Sequence, residues 1–491
     1  MKRKFVSNLI FVLLLNVIIK PFYILGIDAE ILRVTELQDP GTYGTYFSLL
    51  SLSFVFNILL DLGINNYNTR SVARDNERIH LRLKGTLTLK IVLAILYLLI
   101  LFLIGYFFSY NWYELKWLLI IGFNQILVAM ILFLRSNLSA LLMLKEDSII
   151  SVLDRLILIL FCGYFLWAGI NKEFISIEFF ILSQTLAYSV TLIICFIMLS
   201  TKTKVFKLYW DFKFFKATIK SSLPFALLIF LMSIYYYSDV VMIERMKNNH
   251  EAVSYAHGYR FFMAFNMIGF LFAGILLPIF SKMIKDKVDI KAITWLSFRL
   301  IFLISVIICL AIWPIKAEIL SWRYALNGDD LQHSSNTFGW LLLSFVAVSC
   351  NYIFGTLLTA NGSLKQLNTM ALIGVFINLI LNFSLIPYYG SEGAAFASMI
   401  TQFFTLIAQI YIGHKFFKFN LPLRNTILLT GFLTTVLLSS YVINVYEIIS
   451  SSWMINLVTL FLIGTFFGLA FKIVAVSDVQ KLLKSYKNDQ D

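Results

Sequence analysis

Apolar runs of about twenty residues recur along almost the whole chain, and a run of that length at 1.5 Å per residue covers the ~30 Å of hydrocarbon in a bilayer. Lipid offers the backbone no water, so such runs fold as helices or closed barrels, and this length selects helices. Fourteen spans are read from the sequence, at roughly 5–27, 42–66, 85–108, 117–143, 148–169, 175–199, 217–243, 254–280, 292–313, 337–360, 366–386, 393–413, 424–445 and 453–473. The composition agrees: 59% hydrophobic and 14% charged residues, with a mean hydropathy of +0.82, lie outside the range of a water-soluble globule. The expected fold class is an all-α polytopic membrane protein.

A net charge of +13 would suggest nucleic acid in a soluble chain. Here the cations sit in short loops between apolar runs, which is the positive-inside bias and not a nucleic-acid face. About 27 Lys and Arg fall on the side of the two termini against about 7 on the other, so both termini are expected in the cytoplasm. Cys162, Cys195, Cys309 and Cys350 all lie in apolar runs without a C-x-x-C pair, so they read as small apolar residues, and no metal or cofactor is expected. The start, MKRKFVSNLIFVLLLNVIIK, has the basic and apolar regions of a signal peptide, but no small-residue cleavage site follows, so it is kept as span 1.

The longest cytoplasmic connection carries Lys202, Lys204, Lys207, Lys213, Lys216 and Lys220 against Asp211 alone, and it divides the chain. The expected organisation is an N-terminal lobe of spans 1–6 (1–199), a basic linker (200–216), a C-terminal lobe of spans 7–12 (217–416), spans 13–14 (417–476) and a charged tail (477–491). The second half opens with SSLPFALLIFLMSIYYYSDVVMIERM, which lies on SNLIFVLLLNVIIKPFYILGIDAEIL of the first. Such internal similarity is what transporters show when two bundles rock about a central site. The connections opposite the termini are short, and none could house a separate catalytic domain.

Six cations fall inside the spans: Lys20, Lys90, Arg135, Arg155, Arg260 and Arg299. Each would cost about 2.5–3.5 kcal/mol facing lipid at mid-bilayer, so they must snorkel, pair or face water. Lys90, Arg155 and Arg299 lie near span ends, and snorkelling is the expectation. Lys20 lies deeper, on a face with Asn16 and Tyr23, and Pro21 after it removes a backbone donor and can open the helix. A cavity position follows for Lys20. Arg135 and Arg260 face either a cavity or a structural role, an ion pair with Asp154 for the first and an interfacial position for the second. Asp61 and Asp239 are candidate partners for a cation, a proton or an arginine. Asn57, Asp61, Asn65 and Asn68 recur at helical spacing, which places them on one face of span 2 near the inner surface, and Arg70 and Arg74 follow as its cytoplasmic flank. Together these residues suggest a cationic cavity suited to phosphate oxygens, with asparagine and tyrosine for sugar hydroxyls.

The stretch YGTYFSLLSLSFVFNILLDLGINNYNTRSVAR resembles the second-span signature of Wzx-type polysaccharide (O-antigen) flippases: aromatic-glycine-x-aromatic, then aspartate-leucine-glycine, then arginine. The likeness continues in LPFALLIFLMSIYYYSDVVMIERM, in YAHGYRFFMAFNMIGFLFAGILLPIFSK and in INLILNFSLIPYYGSEGAAFASMITQ, in order and at family spacing. The resemblance implies the fold of the multidrug/oligosaccharidyl-lipid/polysaccharide exporter superfamily, two six-helix lobes in a V plus two C-terminal helices. It implies a bacterial cytoplasmic-membrane flippase moving an undecaprenyl-diphosphate-linked oligosaccharide outward by alternating access. Its partners would be that lipid-linked oligosaccharide, membrane lipids and other polysaccharide-assembly membrane proteins. Lys20 and Arg260 match the cavity positions for the diphosphate; Arg135, which matches no family position and rests on its depth alone, and Asn16 and Tyr23, which share the helical face of Lys20, are further substrate-binding candidates. Asp61, Asp239, Arg70 and Arg299 are candidates for coupling or gating, and spans 13–14 for a polyprenyl groove.

Two rivals remain. A cation-coupled multidrug exporter of the same superfamily should carry more acid than base in its cavity, the reverse of the balance here. A membrane glycosyltransferase could hold a metal with Asp28 and Glu30 in a first external loop, but no Walker loop or H-E-x-x-H is present, and an enzyme is not the expectation.

Overall fold

The computed structural model describes residues 15–16, 18–64, 79–140, 143–168, 172–201, 209–419, 423–445, 452–471 and 473, and every regular element among them is helical. Ten of the described helical runs are long and apolar enough to cross a membrane, and a shorter apolar helix covers Leu428–Ser439. The chain is therefore a multi-pass membrane protein. It forms two compact units, Met1–Ala256 and His257–Asp491.

In the first unit, Ile18 to Phe22 is helical and leads into a π-helical segment, Tyr23–Asp28, then α1, Ala29–Gln38. Pro21 stands just before the widened turns; with no N–H to give, it supplies the local opening a π-bulge exploits. The helix thus runs to Gln38, and Asp28 and Glu30, expected in a loop, are helical. After α2, Thr42–Val55, come α3, Ile79–Phe107, α4, Trp112–Ala140, α5, Leu144–Trp167, α6, Ile177–Ser200, and α7, Phe212–Met246. Asp211 and Ser176 cap α7 and α6 by accepting from the N–H of Phe214 and Phe179 at 3.0 and 3.1 Å. α4 packs on α6 and α3, and α2 packs on α7 and α4. Leu127, Phe133, Leu138, Ile150 and Leu199 form the core where α4, α5 and α6 meet.

Span 2 differs from the continuous helix expected. α2 stops at Val55, a 3-10 turn covers Asn57–Leu60, and Leu62 and Gly63 take left-handed φ of 45° and 76°. The helical face predicted for Asn57 and Asp61 does not form, because helical spacing presupposes an unbroken helix. Asn65, Asn68, Arg70 and Arg74 lie outside the described residues, as does the tail 477–491.

α8, Asn249–Lys285, begins in the first unit and continues through the boundary at Ala256. In the second unit α9, Lys291–Ile312, is followed by the short α10, Lys316–Tyr324, inside the longest expected external loop. Then come α11, Gly328–Ala360, α12, Leu364–Phe417, α13, Leu423–Val445, and α14, Trp453–Ala470. α12 holds two expected spans: Gly390, at φ 54° and ψ −130°, breaks it between them, where an L side chain would be strained. Gly393 sits so close to the Leu385 carbonyl that a Cβ would lie 2.8 Å from it. On α14, Gly464 and Gly468 lie a turn apart against Ile307 and Leu303 of α9, the small-residue contact by which membrane helices pack closely. All four cysteines are buried and unbridged.

Candidate functional site

Arg155 of α5 is the best-organised cation in the first unit. Its Nη1 donates to the Tyr188 hydroxyl of α6 at 2.9 Å, and its guanidinium lies 4.6 Å from the Tyr23 ring centre and 5.7 Å from that of Tyr188. Nε stands 3.8 Å from Asp154 Oδ2. Helices surround the residue, yet 26% of its side chain is accessible. A snorkelling arginine would instead extend its head to the membrane boundary; the aromatic hydroxyl and rings hold this one inside.

Three expected residues join it. Lys20, half-buried, has Arg155, Asp154 and Arg135 as the charges acting on it. Tyr23 reaches Arg155 from the first residue of the π-helical segment, one turn beyond Lys20. Arg135 of α4 donates from Nε to Asp147 at 2.7 Å, so its carboxylate partner is Asp147, not the Asp154 considered from sequence. Asn16 is turned to α5, donating to Ser151 Oγ at 3.3 Å. The cluster sets Lys20, Arg135 and Arg155 against Asp147 and Asp154, leaving an excess of positive charge with aromatic walls. The sequence marked Arg155 as an intramembrane cation but, from its place near the span end, assigned it to snorkelling; Tyr188 was not singled out, because its meeting with Arg155 is made across helices.

The aromatic-glycine-x-aromatic motif braces this region. Tyr43 donates its hydroxyl proton to Asp28 Oδ1 at 2.7 Å, and Gln184 donates to the Tyr46 hydroxyl at 2.9 Å. Between them Gly44 meets the start of α8, where a Cβ would lie 2.0 Å from the Asn249 carbonyl oxygen, and Asn249 donates to Thr45 Oγ1 at 2.7 Å. Glu30 pairs with Arg33, and among the described residues no cluster could hold a metal, which removes the support for Asp28 and Glu30 as metal ligands.

The remaining candidates have other surroundings. Lys90 does not snorkel: it is 1% exposed, donates to Asp61 Oδ1 at 2.9 Å and to the Leu60 carbonyl at 3.0 Å, and lies 5.6 Å from the Phe133 ring centre. It fills the break in span 2 that the Asp-Leu-Gly motif creates. Asp239 of α7, 1% exposed, accepts from the Tyr255 hydroxyl at 3.1 Å. Arg260 of α8, in the second unit, is 2% exposed with Nη1 3.6 Å from Met263 Sδ, so it is interior and not interfacial. Arg299 of α9 is half-buried, and Arg70 lies outside the described residues.

Residues 31–284 match the family model described as "Polysaccharide biosynthesis protein", and the chain belongs to that family. No curated protein sequence matches. Among solved structures the chain is similar to the lipid II flippase MurJ in an inward closed conformation, at 14% identity and TM-score 0.70, covering 91% of this chain and 95% of that one. It is similar to the Vibrio cholerae MATE transporter VcmN in a mutant form (16%, TM-score 0.57, 84% and 97% covered) and to a MOP superfamily transporter from Pyrococcus furiosus (11%, TM-score 0.59, 84% and 95%). At these identities the likeness establishes the fold.

Proposed function

We propose that this member of the polysaccharide biosynthesis family is a flippase that carries an undecaprenyl-diphosphate-linked oligosaccharide from the cytoplasmic to the outer leaflet by alternating access. The reading places the protein in a bacterial cytoplasmic membrane with both termini inside. The observation that carries it is Arg155, an arginine held by Tyr188 and Tyr23 with part of its side chain accessible. A planar guanidinium pairs with phosphate oxygens through two parallel hydrogen bonds, and hydrogen bonds to charged groups contribute about 1.5–3 kcal/mol each. Lys20 adds a point charge of the same sign beside it. The pairing strengthens because the site is walled by aromatic rings in place of bulk water.

Arg260 of the second unit remains a substrate-binding candidate in its own right, and Asp239 of the first a candidate for coupling. An inside-negative potential of 100 mV contributes about 2.3 kcal/mol per negative charge moved outward, so the diphosphate's charge assists the proposed direction. The fold is shared with MATE transporters, so a drug exporter is the second reading. The excess of base around Arg155 disfavours a cationic drug and favours an anionic headgroup.

The test is leaflet exchange of a fluorescent undecaprenyl-diphosphate oligosaccharide in vesicles containing the purified chain. Exchange by wild type and its loss in Arg155→Met are expected. Export of a cationic dye with no exchange of the lipid would overturn the reading.

A further inference from the structure

The second unit carries a polar cluster that the headgroup site does not use. It forms where α10 begins, where α11 enters and where α12 turns after Gly390, connections that loop charge places on the side opposite the termini. The Lys316 ammonium lies 4.7 Å from the Trp313 ring centre. Gly339 of α11 makes room for both, since a Cβ there would lie 3.1 Å from Lys316 Nζ and 3.3 Å from the Trp313 ring. The next residue, Trp340, donates its indole N–H to Glu392 Oε1 at 3.2 Å, and Asn336 donates to Oε2 at 3.5 Å. Glu392 in turn acts electrostatically on Lys316.

The pair Lys316 and Glu392 stays open. Two interior cations of the first unit close directly on their carboxylates, at 2.9 Å for Lys90 and Asp61 and 2.7 Å for Arg135 and Asp147. Lys316 and Glu392, both half-buried, interact without such a closed contact among the described residues. An ammonium and a carboxylate separated in this way present donors and an acceptor to whatever lies between them. Beside them Trp313, 36% exposed, offers a flat apolar face. Hydroxyls that both donate and accept, carried on a ring with an apolar C–H face, match this combination; a second phosphate does not, because Glu392 would repel it.

We infer that Trp313, Lys316, Asn336, Trp340 and Glu392 form a saccharide subsite, with the sugar ring on Trp313 and its hydroxyls between Lys316 and Glu392. The inference rests on the proposed function only for the source of the sugar, the glycan of the transported lipid. The test uses the purified full chain in nanodiscs and two free probes, chitotetraose and maltotetraose, followed by saturation-transfer NMR. Transfer to sugar ring protons from wild type is expected, with about ten-fold weaker binding in Trp313→Leu and in Glu392→Gln at unchanged thermal midpoints. Gln retains an oxygen for the Trp340 indole, so Glu392→Gln tests the charge and not the fold. No transfer to either probe, or transfer that survives in both variants, would overturn the subsite. A chain that binds the free sugars but not undecaprenyl diphosphate would sink the headgroup reading while leaving this one standing.

Discussion

Lys90 and Arg155 occupy the same depth by count. Each lies eleven residues past the first residue of its helix, Ile79 or Leu144, about 16 Å along the helix axis. Their surroundings separate them. Lys90 is sealed, with its charge consumed by Asp61 and by a carbonyl freed where span 2 breaks. Arg155 keeps an accessible face; its hydrogen-bond partner is a neutral hydroxyl, and its carboxylate neighbour stands off at 3.8 Å. Depth therefore does not separate the two cations; residual exposure and the charge of the partner do.

The largest expected effect falls on the sealed residue. Lys90→Met takes the ammonium away from Asp61 and from the Leu60 carbonyl, and breaking such a pair costs up to about 3–5 kcal/mol, to be read as a lowered unfolding midpoint in detergent. The double variant Lys90→Met with Asp61→Leu should recover most of that loss, since an apolar pair replaces the ionic one. A single variant as stable as wild type would erase the contrast.

Arg155→Met should do the opposite, keeping stability while leaflet exchange falls about 100-fold, the equivalent of one strong charge-assisted bond. Arg155→Lys sharpens the point. It retains the charge but loses the fork, and an affinity for the diphosphate about ten-fold weaker is expected from a titration in nanodiscs. The smallest effect belongs to Tyr188→Phe, which removes the hydroxyl that accepts from Arg155 but leaves the ring and the arginine in place. The expected outcome is a few-fold loss of exchange with the unfolding midpoint nearly unchanged.

Much of the architecture was legible in the sequence because lipid enforces it: apolar length dictates helices, and Gly390 marks the break between two spans within α12. That Lys20 and Tyr23 share surroundings was legible too, since a shared helical face is a local signal, and both lie near Arg155. What the chain hides is pairing across helices. Asp61 meets Lys90 twenty-nine residues on, through a break that no periodicity announces, and Tyr188 meets Arg155 thirty-three residues away. Lys316 and Glu392 were unmarked for the same reason, lying on separate turns that tertiary structure alone brings together.

The central claim is that Arg155 receives an anionic headgroup, and the direct measurement is retention of undecaprenyl diphosphate against undecaprenol by the purified chain in native mass spectrometry. The account predicts that wild type and the Lys90→Met, Asp61→Leu double variant both prefer the diphosphate, and that Arg155→Met loses the preference. An undiminished preference in Arg155→Met would contradict it.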